Sequence, residues 1–260
     1  MNETAAGELL EEWLDSGICI LRMNRPHAYN ALSVELTDAL RRAVAHVWDK
    51  GGRVMVLAAT DPGFCSGADL KQRRTMTDDQ KYLHNRAING LANDIAALRV
   101  PTIAAINGIA MGGGCELALA CDIRFATESS RIGLTEARIG AMPGAGGSQR
   151  LPRLVGTARA LEMMFSGEPV AAGKARDYGL VNDVTPDDGL LPRVLELAHI
   201  LASRSRQTAA LLKEAVYAGI EKSLSDGLEL ERTAIVEVLA SDDYREGLAA
   251  FADKRKPNFS

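Results

Sequence analysis

Residues 102–121, TIAAINGIAMGGGCELALAC, contain an apolar run, a turn-like segment, a glycine triplet and a second apolar run. The first run, TIAAI, has the length and composition of a strand that is buried on both faces. The second has helical length and is apolar on almost every side, which is typical of a buried helix. Glycine between them permits positive φ angles and a close approach of other atoms to the backbone. The segment therefore predicts a strand, a tight turn and a helix inside one hydrophobic core.

The start of this helix has the features of a catalytic site. Backbone amides at a helix N-terminus have no partner within the helix and carry partial positive charge, so they suit an oxygen that gains negative charge. Glu116 falls in the first turn, and burial would raise the pKa of its carboxyl and suit it to proton transfer. The alternative is structural, because the helix dipole favours a glutamate there and the glycines could serve packing alone. The segment by itself leaves both interpretations open.

The rest of the chain predicts an α/β fold with a helical C-terminal region. Strand-like segments alternate with amphipathic helices up to about Leu154, and this rhythm is typical of α/β domains. After that point the patterns are helical, with few strand signals. We interpret the chain as one integrated unit, with a core in residues 1–200 and a helical region in 201–260. The expected strands are 17–23, 53–59, 102–106 and 122–126, and the expected helices are 34–50, one around 88–98, 158–165, 190–203, 208–220 and 224–240.

Composition argues against several classes of function. The net charge of −4 and the pI of about 5.7 do not favour binding to nucleic acid or to an anionic membrane. The acidic stretch 1–13 lacks the pattern of a secretory signal or a mitochondrial presequence, and no apolar run is long enough to span a bilayer. The four cysteines lack metal-ligand spacing, which predicts free thiols, no metal site and a cytoplasmic location.

Three further pieces are ambiguous when each is taken alone. The triplet 112–114 does not fit a dinucleotide fingerprint, and the cluster 144–148 (GAGGS) lacks the lysine of a phosphate-binding loop and indicates a surface turn. Residues 63–71, GFCSGADLK, indicate a strand-to-helix turn with Asp69 near a helix start. Glu136 follows Thr135, which is typical of a capped helix start. A second carboxylate near the first would allow water and a proton to be handled together.

With these pieces in view, the sequence resembles the enoyl-CoA hydratase/isomerase (crotonase) family over nearly its whole length. The resemblance implies a crotonase-like spiral of ββα units, with a helical C-terminal region that forms a homotrimer or a dimer of trimers. The motifs that carry it are NRPHAYNAL at 24–32, FCSGADLK at 64–71, VPTIAAINGIAMGGGCELALACD at 100–122, GLTEARIGAMPGAGGSQRLPRLVG at 133–156, and DDYREGLAAFADKRKPNF at 242–259.

The resemblance also implies a reaction and its residues. The amides of Ala68 and Gly113 match the oxyanion hole for the thioester carbonyl, Glu116 and Glu136 match the two glutamates of the hydratases, and the amide of Gly144 matches one that holds the reacting water. The implied activity is hydration of a 2-enoyl-CoA, with no cofactor because coenzyme A is part of the substrate. Which glutamate activates water stays open at this point, because a close pair titrates as a unit.

The same resemblance implies residues that contact coenzyme A. Lys71 matches a position near the ligand, and Phe251 and Lys254 match residues that reach a ligand in the neighbouring subunit. His27 stands where hydratases often carry lysine, so it either weakens nucleotide binding or is a tolerated loop residue. The other implied contacts are Ala28, Ala68, Asp69 and Leu70.

Alternative activities remain to be separated. The segments 64–76, 93–106 and 116–124 look most like the branch that contains methylglutaconyl-CoA hydratase, which makes a branched or dicarboxylic acyl group an alternative. Double-bond isomerisation is another, although isomerases often lack one glutamate of the pair. RNA binding is a different class, but the helix expected at 34–50 mixes acidic and basic residues, which is typical of a solvated face. A scaffold without activity would not need both glutamates and both oxyanion motifs.

Overall fold

A computed structural model describes residues 7–260. The stretch 1–13, in which no leader was predicted, therefore lies outside the described residues at positions 1–6. A six-stranded sheet has the order β1-β2-β3-β4-β6-β9, in which only the pairing of β1 with β2 is antiparallel. A three-stranded sheet has the order β5-β7-β8. The strands are β1 Leu9–Leu14, β2 Ile18–Met23, β3 Val54–Ala59, β4 Thr102–Ile106, β5 Ile109–Met111, β6 Ile123–Thr127, β7 Arg131–Gly133, β8 Val170–Ala171 and β9 Asp183–Thr185.

Helices cover both faces of the large sheet and extend beyond it. Among the described residues, three short 3-10 helices, Pro26–Ala28, Glu136–Ile139 and Asp187–Gly189, accompany the α-helices. The α-helices are α1 Val34–His46, α2 Leu70–Arg73, α3 Asp78–Ala96, α4 Gly113–Ala120, α5 Gly147–Val155, α6 Thr157–Ser166, α7 Ala172–Asp177, α8 Leu190–Ala202, α9 Arg206–Gly219, α10 Leu224–Ala240 and α11 Asp242–Ala252.

The large sheet is buried on both sides, as its central parallel strands require. Every residue of β3 is buried, and its side chains alternate between two cores because successive residues of a strand point to opposite faces. Met55 and Leu57 join the larger core, which also receives α1, α3 and α4. Val54 and Val56 join a smaller core that α8 covers. The larger core holds the helix that carries Glu116 and therefore fixes that helix in place.

A half-buried carboxylate links the helical region at the C-terminus to the sheet. Asp122, which precedes β6, accepts hydrogen bonds from the backbone amide of Thr102 at 2.8 Å and from the Lys213 ammonium and the Tyr217 hydroxyl, each at 2.9 Å. Lys213 and Tyr217 lie on α9, so this helix is held against the ends of two core strands. The boundary expected near residue 200 stays an interpretation.

The α/β prediction and the helical C-terminal region are confirmed, with some errors in the elements. All four predicted strands and all the predicted helices are present. The strand 102–106 and the helix 224–240 have the predicted bounds, and the others have shifted ends; the helix expected at 34–50, for example, ends at His46. The expectation of few strands after Leu154 is confirmed: within the described residues only two short strands follow it, β8 at the edge of the small sheet and β9 at one edge of the large sheet. The strands β1, β5, β7, β8 and β9 were not predicted individually. All four cysteines are free and buried, as expected.

Two predictions about surfaces can be compared with the described residues. Within residues 7–260 no helix is long and apolar enough to cross a membrane. On the helix considered for RNA binding, Arg41 pairs with Asp94 at 3.0 Å, and Lys50 beyond its end pairs with Glu11 at 2.7 Å. These cations are balanced by acidic neighbours, which agrees with a solvated face.

Candidate active site

A cavity of about 340 Å³ opens where the glycine-rich turns meet the start of α4. It is lined by backbone of the Gly67–Ala68 and Gly112–Gly113 turns, by two glutamates, and by side chains of α2, α3 and the loop before α5. Of the residues predicted from sequence, the cavity brings together Ala68, Leu70, Gly113, Glu116, Glu136 and Gly144.

Backbone hydrogen bonds hold the Ala68 turn between two other segments. On one side, the Leu32 amide donates to Gly67 O at 2.8 Å and the Asp69 amide donates to Leu32 O at 3.0 Å. On the other, the Met111 amide donates to Cys65 O at 2.9 Å. The turn is thus fixed as if it were part of a sheet, and its position does not depend on side-chain packing alone.

The amides of Ala68 and Gly113 lie side by side at this point. A methyl group built on Gly113 would lie 3.6 Å from the Ala68 nitrogen. Neither amide donates a hydrogen bond to any residue that the structure describes, whereas the amides of Asp69 and Gly112 beside them donate to Leu32 O and Gly133 O. Two unbonded donors at a helix start are the arrangement that stabilises a developing oxyanion.

Glycine is required where α4 packs against the Ala68 turn. A Cβ on Gly114 would lie 2.3 Å from the Cys65 carbonyl oxygen, so no other residue fits without moving the backbone. Gly112 has a φ of 50°, and a Cβ there would lie 3.1 Å from Glu136 Oε1. The glycine triplet thus serves both packing and access to the cavity.

Glu116 is buried and held in one position by two amides. Its residue exposure is 3%, and its Oε1 accepts hydrogen bonds from the amides of Ala145 at 2.7 Å and Gly147 at 2.8 Å. Burial raises the pKa of the Glu116 carboxyl, while these two hydrogen bonds favour its ionised form and oppose that rise. The carboxylate is therefore fixed, desolvated and still supported as an anion.

Glu136 lies in a different environment, at the start of a 3-10 helix. Thr135 makes no side-chain capping bond there, so the capped helix start expected from sequence is wrong. The Oε2 atom of Glu136 is buried and has no hydrogen-bond partner among residues 7–260. Burial, with a further contribution from the charge of Glu116, raises the pKa of Glu136 to about 7. This carboxyl therefore holds a proton to near-neutral pH.

Sequence reasoning missed the donors that hold Glu116. The cluster 144–148 was expected to be a surface turn, but Ala145 and Gly147 are buried. A Cβ on Gly147 would lie 3.0 Å from Glu116 Oε1, so glycine is needed for this close approach. Backbone donors have no side-chain signature, and the only signal in the sequence was the run of small residues.

The residues expected to contact coenzyme A are more scattered. Asp69 is nearly buried, accepts a hydrogen bond from the Gln72 amide at the start of α2, and pairs with Arg25 at 3.0 Å. These contacts give Asp69 a structural role in this chain. His27 and Lys71 are exposed outside the cavity, and Ala28 is half-buried, its carbonyl accepting from the Ser66 hydroxyl.

Phe251 and Lys254 lie at the end of α11 and just beyond it, and the cavity of the same chain does not include them. Phe251 is 86% exposed. An aromatic ring this exposed is available to another chain, and its expected role there stays a prediction.

Comparisons with known proteins agree with this geometry. Residues 14–260 match the sequence model of the enoyl-CoA hydratase/isomerase family. The chain is 39% identical to a probable mitochondrial enoyl-CoA hydratase 2 of Arabidopsis thaliana, over 95% of this chain and 82% of the relative. It is 40% identical to the mitochondrial methylglutaconyl-CoA hydratase of Mus musculus, over 94% of this chain and 79% of the relative.

A crystal structure of an enoyl-CoA hydratase from Bacillus anthracis superposes with a TM-score of 0.95 at 38% identity, covering 97% of this chain and 98% of that one. A likeness of this extent confirms the crotonase-like fold. Relatives named enoyl-CoA hydratases are lyases, and the same assignment to an enzyme class applies here. The protein belongs to the enoyl-CoA hydratase/isomerase family.

Proposed function

We propose that the protein is an enoyl-CoA hydratase, which adds water in the syn sense across the 2,3 double bond of a 2-enoyl-CoA thioester to give a 3-hydroxyacyl-CoA. The observation that carries this proposal is the pair of glutamates in unlike environments beside two unbonded amides. Hydration needs both a base for water and an acid for carbon, and the cavity offers a candidate for each.

In this proposal the thioester carbonyl oxygen accepts hydrogen bonds from the amides of Ala68 and Gly113. Polarising the carbonyl withdraws electron density from the conjugated double bond and makes C3 electrophilic. The negative charge that develops on the oxygen is stabilised by donors already fixed by the surrounding backbone bonds. Loss of one such donor typically lowers the rate ~10²–10³-fold.

We assign the two carboxyl groups from their hydrogen bonds. Glu116, fixed as an anion by Ala145 and Gly147, is the base that takes a proton from water as its oxygen bonds to C3. Glu136, with its raised pKa, is the acid that protonates C2 on the same face as the enolate collapses. The Gly144 amide, at the cavity wall, is the proposed donor to the reacting water.

Hydration is the first candidate and two related activities are alternatives. Isomerisation moves a proton between C4 and C2 and needs no bound water, so it gives no use to a second fixed carboxylate. Methylglutaconyl-CoA hydratase activity is the second candidate, because relatives from mouse, rat and human carry that name at 39–40% identity. It is the same reaction on an acyl group that bears a further carboxylate.

The proposed partners are an acyl-CoA substrate and further copies of this chain. A homotrimer or a dimer of trimers is supported by large apolar side chains exposed on α9, α10 and α11, such as Leu212, Val236 and Phe251. Lys71 of one subunit, with Phe251 and Lys254 of a neighbour, would contact coenzyme A. We propose no separate cofactor and no nucleic-acid ligand. Several relatives carry "mitochondrial" in their names, and the cytoplasmic location stays a prediction.

The direct test is to mix the protein with crotonyl-CoA and follow the loss of the conjugated-thioester absorbance. We expect turnover with 3-hydroxybutyryl-CoA as the product, identified by mass spectrometry. The matched control is the double variant Glu116→Gln/Glu136→Gln, which keeps the size of both side chains and should be inactive. Absence of turnover on every 2-enoyl-CoA tried, or a product of unchanged mass, would contradict hydration.

A further inference from the structure

The cavity contains one cation that the hydration chemistry above does not use. Arg73 is the last residue of α2, lines the cavity and is about half-buried. The nearest acidic residue before it in the chain, Asp69, is already paired with Arg25. Arg73 itself forms no ion pair with any residue in the described part of the chain. Its nearest compensating charge is Glu116, which attracts the guanidinium without contacting it. A partly desolvated guanidinium without a direct partner calls for an explanation, because burying a charge costs free energy.

The guanidinium of Arg73 is held by a hydrogen bond to a neutral group. Its Nε donates to Nδ1 of His84 at 3.3 Å, and His84, on α3, is only 3% exposed. Burial lowers the pKa of His84 and the neighbouring Arg73 lowers it further, so the imidazole stays neutral and accepts the bond. This contact orients the guanidinium without neutralising it. The two terminal nitrogens of Arg73 have no hydrogen-bond partner among the residues described.

The position of Arg73 relative to the proposed reaction suggests what it binds. Arg73 lines the same cavity as Glu116, and its charge lowers the pKa of the Glu116 carboxyl. With the carbonyl at Ala68 and Gly113 and C3 between the glutamates, the rest of the acyl group passes beyond them. Beyond the two glutamates, the cavity wall holds neutral side chains, among them Ile88 and Met142, and two cations, Arg73 and Arg138. The end of the acyl group can therefore meet a cation in a wall that is otherwise largely neutral.

A second arginine in the wall, Arg138, differs in a useful way. Its side chain is 46% exposed and it already pairs with Glu168 at 2.5 Å. Arg138 is therefore in direct contact with a carboxylate, while Arg73 has only a longer-range attraction to Glu116. The planar fork of an arginine held through its Nε is suited to receive both oxygens of a carboxylate.

We propose that Arg73, oriented by His84, binds a carboxylate at the far end of the acyl group, so that the site prefers 2-enoyl-CoA thioesters of dicarboxylic acids. This inference rests on the proposed hydratase function and names its substrate class. The distal carboxylate takes no part in the bond changes; the hydroxyl group still adds to C3 and the proton to C2.

The test compares two thioesters of similar shape, glutaconyl-CoA and 5-methyl-2-hexenoyl-CoA, in which an isopropyl group replaces the carboxylate. For the unmodified protein we expect kcat/KM to be about 10- to 100-fold higher on glutaconyl-CoA, the range that one charged hydrogen-bonded pair supplies. Arg73→Met should abolish this preference by lowering only the value for glutaconyl-CoA. Arg73→Lys should keep a part of it, because lysine retains the charge and loses the fork.

Arg138→Met is the matched control, and it should change kcat/KM for the two thioesters by the same factor. The proposal is overturned if the unmodified protein does not prefer glutaconyl-CoA. It is also overturned if Arg73→Met lowers both values equally, because Arg73 would then act only on Glu116. Should Arg73→Met fail to fold, the preference of the unmodified protein still decides. Turnover of crotonyl-CoA separates this inference from the hydratase proposal, which fails only if no enoyl thioester reacts.

Discussion

Glu116 and Glu136 lie in the same cavity, but the chain holds them in opposite ways. Glu116 is on an α-helix packed into the core, and two backbone amides converge on one of its oxygens. Glu136 is on a short 3-10 helix near the surface, and one of its oxygens has no partner within residues 7–260. The difference gives two identical side chains unlike environments, and the proposed roles of base and acid rest on it.

The two glutamates also differ in the local backbone that faces their carboxyl groups. The loop that supplies the donors to Glu116 is built from small buried residues, so its backbone can approach a carboxylate directly. Glu136 faces Gly112 instead, where an added Cβ would lie 3.1 Å from its Oε1. Burial raises the pKa of both carboxyls, and at Glu116 the amides of Ala145 and Gly147 oppose that rise.

The largest effect is expected for Glu116→Gln. Glutamine keeps the size of the side chain and can still accept from the two amides, but it cannot take a proton from water. We expect kcat for hydration to fall ~10³–10⁴-fold, toward the upper end of what a general base contributes. Steady-state kinetics on crotonyl-CoA measures this, with circular dichroism as the check on folding. A decrease of less than about tenfold would remove Glu116 from the role of base.

A smaller loss and a changed pH profile are expected for Glu136→Gln. Because its pKa is raised to about 7, Glu136 keeps its proton below that pH and loses it above. If Glu136 is the acid, kcat/KM for hydration falls as the pH rises through about 7. The variant should lose ~10²–10³-fold in rate and should also lose this alkaline decline. An unchanged decline in the variant would assign it to another group.

A moderate effect is expected when a donor to Glu116 is disturbed. In Gly147→Ala the added methyl group would lie 3.0 Å from Glu116 Oε1 and would push the carboxylate off its amides. We expect kcat to fall about tenfold, since one charge-assisted hydrogen bond contributes roughly 1.5–3 kcal/mol and part of it survives.

Gly173→Ala is the matched control for that substitution. Gly173 lies in α7, and nothing is within 4 Å of the position that a Cβ would take. It should keep full activity and gain stability, because alanine favours a helix more than glycine does. Equal losses in the two variants would show that the effect of Gly147→Ala is not specific to Glu116.

Much of this site could be predicted from the sequence because side-chain type and glycine position carry the information. Residues 102–121 indicated a strand, a turn and a buried helix, and the structure has all three. The family resemblance added Ala68 and Glu136, and the cavity does bring them beside Gly113 and Glu116. Their roles in the reaction stay predictions.

The remaining features depend on contacts between distant segments. The amides of Ala145 and Gly147 could not be assigned to Glu116, because any residue except proline carries such a donor. The strand β1 includes Glu11 and Glu12 on the edge of the sheet, so its apolar pattern is weak. Nothing in the sequence distinguishes Arg73 from an ordinary surface cation. The structure shows that it lines the cavity and that its Nε donates to His84.

The central claim is that the free protein holds its extra proton on Glu136 and keeps Glu116 ionised. The most direct measurement is a ¹³C NMR titration of glutamate side-chain carboxyls, with Glu116→Gln and Glu136→Gln used for assignment. We predict one carboxyl that titrates near pH 7, is absent in Glu136→Gln, and shifts to lower pH in Glu116→Gln because a neighbouring negative charge is removed. A carboxyl near pH 7 that persists in Glu136→Gln and disappears in Glu116→Gln would contradict the account.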